Sequence, residues 1–252
     1  MIKVIELPID KDMGGLTSYV LQLYRMIDKK EFELTLLSYD DSQNFDVNYN
    51  VETVSRPYHI IQFYKKMKCL LSEEKNIIHF HQSYVNIIPI LIAKLAGFKT
   101  IILHAHSSSI DDNRKIVRFL KTGLHKVGRF LLPYLVDTYI GCSTKASEWM
   151  FPRKCIDSDS YYLLHNAIDL DLYDRNINLG LEVRQKFNIP KDALVVGHIG
   201  RFTPVKNHLF IIDIFKEVLK QNPNSYLFLL GDGVERHKIE SLVKSAAISD
   251  KV

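Results

Sequence analysis

The feature that most constrains the fold of this chain is the regular alternation of short apolar runs with amphipathic helical segments. Apolar, β-favouring runs occur at residues 2–9, 33–39, 77–81 and 100–103, and stretches with apolar residues at helical spacing lie between them. Short connections between alternating strands and helices predict an α/β protein with a parallel, doubly wound sheet. Ligands bind such sheets at the carboxyl ends of the strands, so we expect the functional residues there.

The composition is that of a soluble globular protein. Hydrophobic residues make up 46% and charged residues 25% of the 252 residues, which allows one large domain or two smaller ones. The net charge of +4 is too small to indicate nucleic-acid binding. The cysteines, Cys69, Cys142 and Cys155, are far apart and lack a histidine at metal-ligand spacing, which indicates reduced thiols. With no secretory signal and no apolar run of membrane-spanning length, we expect a cytoplasmic location.

The segment VVGHIGRFTPVKNHLFIID at residues 195–213 carries the first chemical signal. It predicts a strand, a basic turn and the start of a helix, with Asn207 as the N-cap. Backbone N–H groups at a helix N-terminus favour an anion, and Arg201 and Lys206 add two positive charges that can reach it. The segment therefore predicts a phosphate or diphosphate site that needs no metal. The alternative is an ordinary turn between a strand and a helix, with two solvated cations.

GRFTPVKN, followed further along the chain by LLGDGVER, resembles the second half of the retaining glycosyltransferases of family 4. These enzymes have the GT-B fold of two Rossmann-like domains. The resemblance implies that Arg201 and Lys206 hold the diphosphate of a nucleotide-sugar donor. We also assign the loop of Gly231, Asp232 and Gly233 to donor binding.

Near the start of the chain, GGLTSYVLQLYRMIDKKEFELTLLS resembles the exopolysaccharide and capsule branch of the same family. The family glycines that match Gly14 and Gly15 open the first helix against the donor phosphates and sugar. Glycines suit this place because they let a ligand approach the backbone closely. A tight turn without ligand contact is the alternative.

The resemblance implies a Rossmann-like, acceptor-side domain at residues 1–175, a linker at 176–190 and a donor-binding domain at 191–252. HNAIDLD at residues 165–171 resembles the family's linker turn, with Ala167 in place of a glycine. In the second domain, strands are predicted only at 194–200 and 225–230, and the glutamate pair that grips the donor sugar and ribose in the family is not found. We therefore expect an incomplete, weakly ordered second domain, from a fragment or a truncated product. We also expect that this chain alone does not transfer sugar.

Two pairs of histidines lie near the carboxyl ends of predicted strands: His79 with His81, and His104 with His106. We expect the two members of each pair to point to opposite sides of their strand. His104 is then expected in the sheet packing. His106, which matches the family histidine that contacts the donor sugar near the reacting carbon, is expected in the cleft facing the GG loop. No carboxylate or cysteine completes a ligand set around these histidines, so we expect no metal and no cofactor.

Residues 113–132 predict a basic amphipathic helix, kinked at Gly123 or Gly128. One interpretation is a surface helix whose apolar stripe packs on the core and whose basic face is solvated. The other, in line with the resemblance, is a surface that binds anionic lipid at the inner membrane face or a lipid-linked acceptor. The cations of this segment are Arg114, Lys115, Arg118, Lys121, Lys126 and Arg129.

Together, the residues and the resemblance predict a retaining glycosyltransferase that moves a sugar from a nucleotide sugar to a hydroxyl acceptor, a lipid-linked or polysaccharide precursor. Arg201 and Lys206 are expected to stabilise the departing diphosphate, and His106 to act beside the sugar. Two alternatives stay open. One is a GT-B nucleotide-sugar epimerase, and the other is a non-catalytic remnant that binds an acceptor, a membrane or a partner.

Overall fold

Seven parallel strands form the sheet of the first of two units, Met1–Leu170 and Asp171–Val252. The computed structural model describes residues 1–11, 14–71, 76–110, 112, 114–170 and 177–252. The strands of the first unit are β1 (Ile2–Ile9), β2 (Phe32–Ser38), β3 (Val51–Thr53), β4 (Asn76–Gln82), β5 (Thr100–Ala105), β6 (Thr138–Gly141) and β7 (Tyr161–Leu163). Its helices are α1 (Gly15–Met26), α2 (Ile60–Leu70), α3 (Ile87–Ala96), α4 (Lys115–Leu135), α5 (Thr144–Met150) and α6 (Arg153–Ile156).

The strand order of the first unit is β3-β2-β1-β4-β5-β6-β7, and every neighbouring pair is parallel. The order reverses between β1 and β4, which is the switch point of a doubly wound sheet. This confirms the predicted α/β fold class. It also brings the carboxyl ends of β1, β4 and β5 together, so residues there share one edge of the sheet.

The two faces of this sheet differ in what covers them. On one face, Ile5, Ile78 and Ile101 belong to a buried cluster with Phe63 of α2 and Ile90 of α3. The other face packs in part against Val20 and Leu21 of α1 and also carries polar side chains. Because side chains alternate between the faces of a strand, one strand serves an apolar core and a polar site at once.

Local signals set the helix ends of the first unit. The Ser143 hydroxyl caps α5 by accepting a hydrogen bond from the Ala146 N–H at 3.2 Å. Gly97 ends α3 in the left-handed conformation, with a φ of 109°. Of the residues just before α4, Asp111 and Asn113 lie outside the described residues.

The basic helix α4 runs without interruption through both glycines that were proposed as kink sites. Gly128 has a packing role instead. A Cβ atom there would lie 2.4 Å from the Val85 Cγ1 atom, so the missing side chain lets α4 approach the residues that precede α3. Gly128 is therefore needed for a tertiary contact and does not bend the helix.

The second unit contains a two-stranded parallel sheet of β8 (Leu194–Ile199) and β9 (Ser225–Leu230). Its helices are α7 (Ile177–Lys186), α8 (His208–Gln221) and α9 (Arg236–Ser245). Phe202, Ile212, Ile239 and Val243 form its buried cluster. The two predicted strands are confirmed.

The predicted cap of α8 is only half right. Asn207 occupies the N-cap position, but its backbone is left-handed (φ 49°, ψ 48°) and its side chain makes no capping hydrogen bond. The Asn207 carbonyl instead accepts from the N–H groups of Phe210 and Ile211. Asparagine suits this place because it tolerates the left-handed region better than most residues.

Candidate functional site

The histidines of β4 and β5 lie on one face of the sheet, so the expectation that each pair points to opposite sides is wrong. Residues two apart on a strand share a face. The rings of His79 and His81 are 4.1 Å apart between centroids, and those of His104 and His106 are also 4.1 Å apart. His104 is buried as expected, but beside His106 rather than behind it.

A buried carboxylate that the sequence analysis did not single out joins these histidines. Glu6 of β1 pairs in register with His79 of β4, and His81 pairs with His104 of β5. The His81 Nε2 atom lies 2.6 Å from the Glu6 Oε2 atom, and His81 Nδ1 lies 2.8 Å from His106 Nε2. His79 Nδ1 contacts the same carboxylate at 3.1 Å. Glu6, His81 and His106 thus form a continuous chain of hydrogen bonds, which we call the relay.

Burial keeps the relay histidines uncharged at neutral pH. Burial, reinforced by the neighbouring His79, lowers the pKa of His81 to about 4. Burial and the charges of His81 and His79 lower the pKa of His106 to about 3. Burial of Glu6 favours its neutral form, but the charge of His79 and the hydrogen bonds of His79 and His81 outweigh it, so the pKa of Glu6 is below its usual range. Glu6 is therefore a buried carboxylate, and the relay histidines His81 and His106 are neutral.

The second helical turn of α1 covers the histidine cluster. The Tyr19 ring lies 5.4 Å from the rings of both His104 and His106. The glycines Gly14 and Gly15 lie where α1 begins, and a Cβ atom on either would meet nothing within 4 Å. Packing inside the protein therefore does not require glycine at these two positions. The open space beside them is consistent with a ligand-binding site.

The cluster also brings together groups of the kind that bind metals. Ring nitrogens of His79, His81 and His104 lie within 4.8 Å of one another, and Glu6 supplies a carboxylate beside them. The sequence argument against a ligand set did not take this carboxylate into account. A tetrahedral zinc site has Zn–N bonds of about 2.0–2.1 Å, which places ligand atoms about 3.3 Å apart. Both nitrogens of His81 already form hydrogen bonds within the relay, so the residues fit a hydrogen-bonded network better, and the absence of a metal stays a prediction.

In the ranges that the structure describes, His104 contributes packing, and no hydrogen bond, to the histidine cluster. Its ring is stacked on His79 at 5.4 Å, and neither of its nitrogens has a hydrogen-bond partner among the described residues. Burial lowers the pKa of His104 far below its usual range, so this ring is neutral as well. It contributes packing beside His106 rather than a link in the relay.

A cavity of about 220 Å³ opens beside His81 in the first unit. It lies at the carboxyl ends of β1, β2 and β4, which is the edge where a doubly wound sheet receives ligands. Tyrosine, serine and amide side chains give it polar walls. Its lining includes Asp10, Tyr39, His81, Gln82, Ser83 and Tyr84.

The basic loop of the second unit follows β8 directly. Arg201 and Lys206 are both exposed, and within the described part of the chain neither forms a side-chain hydrogen bond or an ion pair. The loop ends in the short 3₁₀ turn Pro204–Lys206, and α8 starts behind it without a side-chain cap. Two unpaired cations beside an open helix N-terminus make a strong anion-binding arrangement.

The glycine-rich loop after β9 is held against this basic loop by backbone hydrogen bonds. The Phe202 N–H donates to the Asp232 carbonyl at 2.8 Å, and the Glu235 N–H donates to the Phe202 carbonyl at 3.0 Å. Gly231 and Gly233 have φ values of 155° and 154°. A Cβ atom at Gly231 would lie 2.0 Å from the Gly200 carbonyl oxygen, and one at Gly233 would lie 2.5 Å from that of Phe202. Here the glycines are required by packing.

Helix α4 exposes an apolar surface in addition to its cations. Phe119 is 78% and Phe130 is 72% exposed, whereas His125, Gly128 and Leu132 are buried against the first unit. Ile116, Leu120, Val127 and Tyr134 extend the exposed apolar face. The apolar stripe of this helix is therefore core only in part. No described helix is long and apolar enough to cross a bilayer.

The cations of α4 fall into two groups. Asp112 forms ion pairs with Arg114 and Lys121, and the Arg129 guanidinium donates to the Phe151 carbonyl. The second group is exposed and has no side-chain partner in the described ranges; it consists of Lys115, Arg118 and Lys126. Only this second group is available to an external anion.

Comparison with known proteins agrees with both units. The family model described as Glycosyltransferase Family 4 matches residues 13–172, and that described as Glycosyl transferases group 1 matches residues 181–252. The solved structure of Anabaena HepE in complex with UDP-glucose superposes with a TM-score of 0.76 at 15% identity, covering 100% of this chain and 68% of that one. At this level of identity, the likeness shows the fold alone.

Two curated relatives extend the comparison. The chain is 26% identical over 240 residues to the putative glycosyltransferase EpsF of Bacillus subtilis, covering 87% of this chain and 59% of EpsF. It is 22% identical over 245 residues to the UDP-Gal:α-D-GlcNAc-diphosphoundecaprenol α-1,3-galactosyltransferase of Escherichia coli, covering 92% and 62%. The chain thus spans less than two thirds of the length of these relatives. Because the family model over residues 13–172 covers more than half of its sequence, this protein belongs to glycosyltransferase family 4.

Proposed function

We propose that this protein transfers a sugar from a nucleotide-sugar donor to a hydroxyl acceptor, with retention at the anomeric carbon. The observation that carries the proposal is the exposed, unpaired pair Arg201 and Lys206 beside the uncapped start of α8. Membership of glycosyltransferase family 4 supports it. UDP-glucose bound to HepE, a structural neighbour, supports a nucleotide sugar as the donor.

The proposed role of the basic loop is to stabilise the leaving group. As the bond between the sugar and the diphosphate breaks, negative charge grows on the diphosphate oxygens. Arg201 offers two parallel N–H donors to such oxygens, Lys206 adds a point charge, and the open N–H groups of α8 complete the cradle. Fixed donors of this kind act most strongly on charge that develops in the transition state, and this arrangement needs no metal.

The first unit supplies the remaining proposed roles. His106 and the glycines Gly14 and Gly15 are assigned to the donor sugar, since the histidine is neutral and partly exposed and the glycines leave open space. We assign the acceptor hydroxyl to the polar cavity beside His81, whose tyrosine, serine and amide side chains suit a hydroxyl-rich ligand.

The test of the cradle is a pair of single substitutions in this protein, Arg201→Ala and Lys206→Ala. Each is expected to lower nucleoside diphosphate release by about 30- to 1,000-fold, because losing one anion-stabilising donor costs about 2–4 kcal/mol in the transition state. Lys191→Ala removes an exposed cation that precedes β8 and is the matched control. The assay screens a panel of nucleotide sugars.

The outcomes of this screen separate the alternatives. Turnover that is unchanged in both variants would contradict the cradle. A nucleotide sugar recovered with its configuration inverted at C2, and no transfer, would identify an epimerase instead. Binding of a nucleoside diphosphate without turnover of any donor would favour the non-catalytic remnant. An inverted anomeric centre in the product, seen by proton NMR, would refute retention.

We further propose that the exposed face of α4 binds an anionic membrane, where a lipid-linked acceptor would be found. Its two exposed phenylalanines suit burial at the boundary between the headgroups and the acyl chains. Its free cations suit contact with anionic headgroups. Each cation near such a surface contributes about 1 kcal/mol. Both features occur on one helix of the first unit.

Co-sedimentation with liposomes tests this surface. Arg118→Ala with Lys126→Ala is expected to weaken binding to anionic vesicles by about 10- to 30-fold, and Phe119→Ser to weaken it further. The control is Lys65→Ala with Lys68→Ala, which removes two exposed cations from α2. Equal binding to neutral and anionic vesicles, or equal binding by both double variants, would contradict the proposal.

A further inference from the structure

We propose that Glu6 and His81 are positioning residues that fix which nitrogen of His106 carries a proton. The inference concerns the relay itself. Only its catalytic consequence rests on the proposed function. It assigns a role to two buried side chains of the first unit.

The proton positions follow from the hydrogen bonds. An ionised carboxylate only accepts, so the His81 Nε2 atom, 2.6 Å from Glu6 Oε2, must carry a hydrogen. A neutral imidazole has one N–H, so His81 Nδ1 is then an acceptor. His106 Nε2, 2.8 Å from His81 Nδ1, must therefore be the donor of the second bond. The neutral His106 ring is left with a bare Nδ1 atom.

The unprotonated Nδ1 atom of His106 is the end of the relay that is free to accept a hydrogen bond from a ligand. His106 is partly exposed, and no described residue forms a hydrogen bond with its Nδ1 atom. Its backbone N–H donates to the Gln82 carbonyl at 3.0 Å, and the Tyr19 ring lies beside it, so the imidazole is held from two directions. His106 thus presents a fixed hydrogen-bond acceptor at the carboxyl ends of β4 and β5.

A fixed acceptor suits the reaction proposed for this protein. A donor sugar offers hydroxyl groups, and a bare Nδ1 accepts from a hydroxyl, whereas an Nδ1–H would compete with it as a second donor. The buried Glu6 charge behind the two imidazoles also favours the positive charge that grows on the sugar ring as the diphosphate departs. The relay therefore orients His106 without any proton crossing it.

The direct test is NMR of protein labelled with ¹⁵N at its histidines, which needs no substrate. His81 and His106 are both expected as Nε2–H tautomers. In His81→Gln, the side-chain amide keeps a donor near the Nε2 position for Glu6 but removes the acceptor for His106, so His106 is expected to lose its single tautomer. In the control His59→Gln, which removes an exposed histidine of the same unit, His106 is expected to stay unchanged.

Kinetics then separate positioning from general damage. His81→Gln is expected to lower kcat by about 10- to 100-fold with the donor KM changed less than about 3-fold, and His59→Gln is expected to stay within about 3-fold of wild type. If the tautomers are as expected but no nucleotide sugar is turned over, the proposed function fails and the relay stands. An Nδ1–H tautomer of His106 in the wild type, or an unchanged one in His81→Gln, overturns the relay. Titration with zinc that displaces the His81 hydrogen bonds at micromolar metal also overturns it.

Discussion

The two units of this protein prepare their functional groups in opposite ways. In the first unit, Glu6, His81 and His106 are held by one another and by the surrounding strands, largely out of solvent. In the second unit, Arg201 and Lys206 are exposed and unpaired within the described residues. Neutral groups with fixed proton positions can be built into a core. Cations without a protein partner, such as those proposed to bind a diphosphate, are better left solvated, since burying them unpaired is costly.

The glycines of the two units show the same contrast. At Gly231 and Gly233, backbone atoms of the neighbouring loop occupy the space of a side chain. At Gly14 and Gly15, that space is open. The first pair is explained by folding alone, whereas the second pair has no explanation inside the protein. Three measurements test this contrast between the two units.

The largest expected effect is loss of stability of the first unit in mild acid. The pKa of His81 in the folded protein is about 4, which is below its ordinary value of 6.5. The buried neutral ring therefore stabilises the fold fully above pH 6.5. This stabilisation is lost as the pH falls to about 4. For this residue alone the loss amounts to about 3 kcal/mol. Urea unfolding at several pH values measures it through Trp149, the single tryptophan, which lies in the first unit.

The control for this measurement is His59→Gln, which removes an exposed histidine of the same unit. It should leave the pH dependence of the urea midpoint as it is in the wild type, whereas His81→Gln should flatten it. A midpoint that does not move between pH 7 and pH 5 would show that the histidine cluster does not contribute to the stability of the first unit.

A smaller effect is expected from Gly231→Ala in the second unit. The new Cβ atom overlaps the Gly200 carbonyl oxygen, and the residue has a positive φ, so the unit should lose about 2–3 kcal/mol. Amide hydrogen exchange in β8 and β9 should accelerate while the Trp149 transition of the first unit stays unchanged. Unaltered exchange in both strands would show that the two loops separate easily.

The smallest effect on stability is expected from Gly15→Ala. The position is helical and open, so the alanine should raise stability by about 0.5 kcal/mol, through a less flexible unfolded chain. Under the proposed function, the same variant should transfer sugar more slowly because its methyl group projects into space kept for the donor. A thermal unfolding scan and the diphosphate-release assay measure the two quantities. Lower stability would show that packing does require this glycine.

Much of the fold could be predicted because the hydrophobic pattern is regular. The run at residues 2–9 is β1 with the same bounds, and the carboxyl-end rule located His81 and His106 correctly along the chain. The facing of the histidines was wrong for a local reason: the period of two was misapplied to residues that share a face. Gly128 could not be understood from sequence, since its partner Val85 is remote along the chain.

Glu6 was the functional residue that sequence analysis missed. It lies within the apolar run IKVIELPI, where a single carboxylate looks like an exposed position. A signal did exist, because Glu6, the His79–His81 pair and the His104–His106 pair interrupt three apolar strands that become neighbours in the sheet. Polar residues that align across adjacent buried strands indicate a network. Their exact bonds, however, depend on register, which the chain sets only through its tertiary packing.

The backbone contact between the loops after β8 and β9 also bears on how such proteins diverge. Because Gly231 and Gly233 fit against the main chain of Gly200 and Phe202, a change in the path of one loop leaves the other without its complement. The two loops should therefore be inherited together. A chimera that imports residues 231–233 from a relative should also import residues 200–202, and new specificity should arise through side chains on a conserved backbone frame.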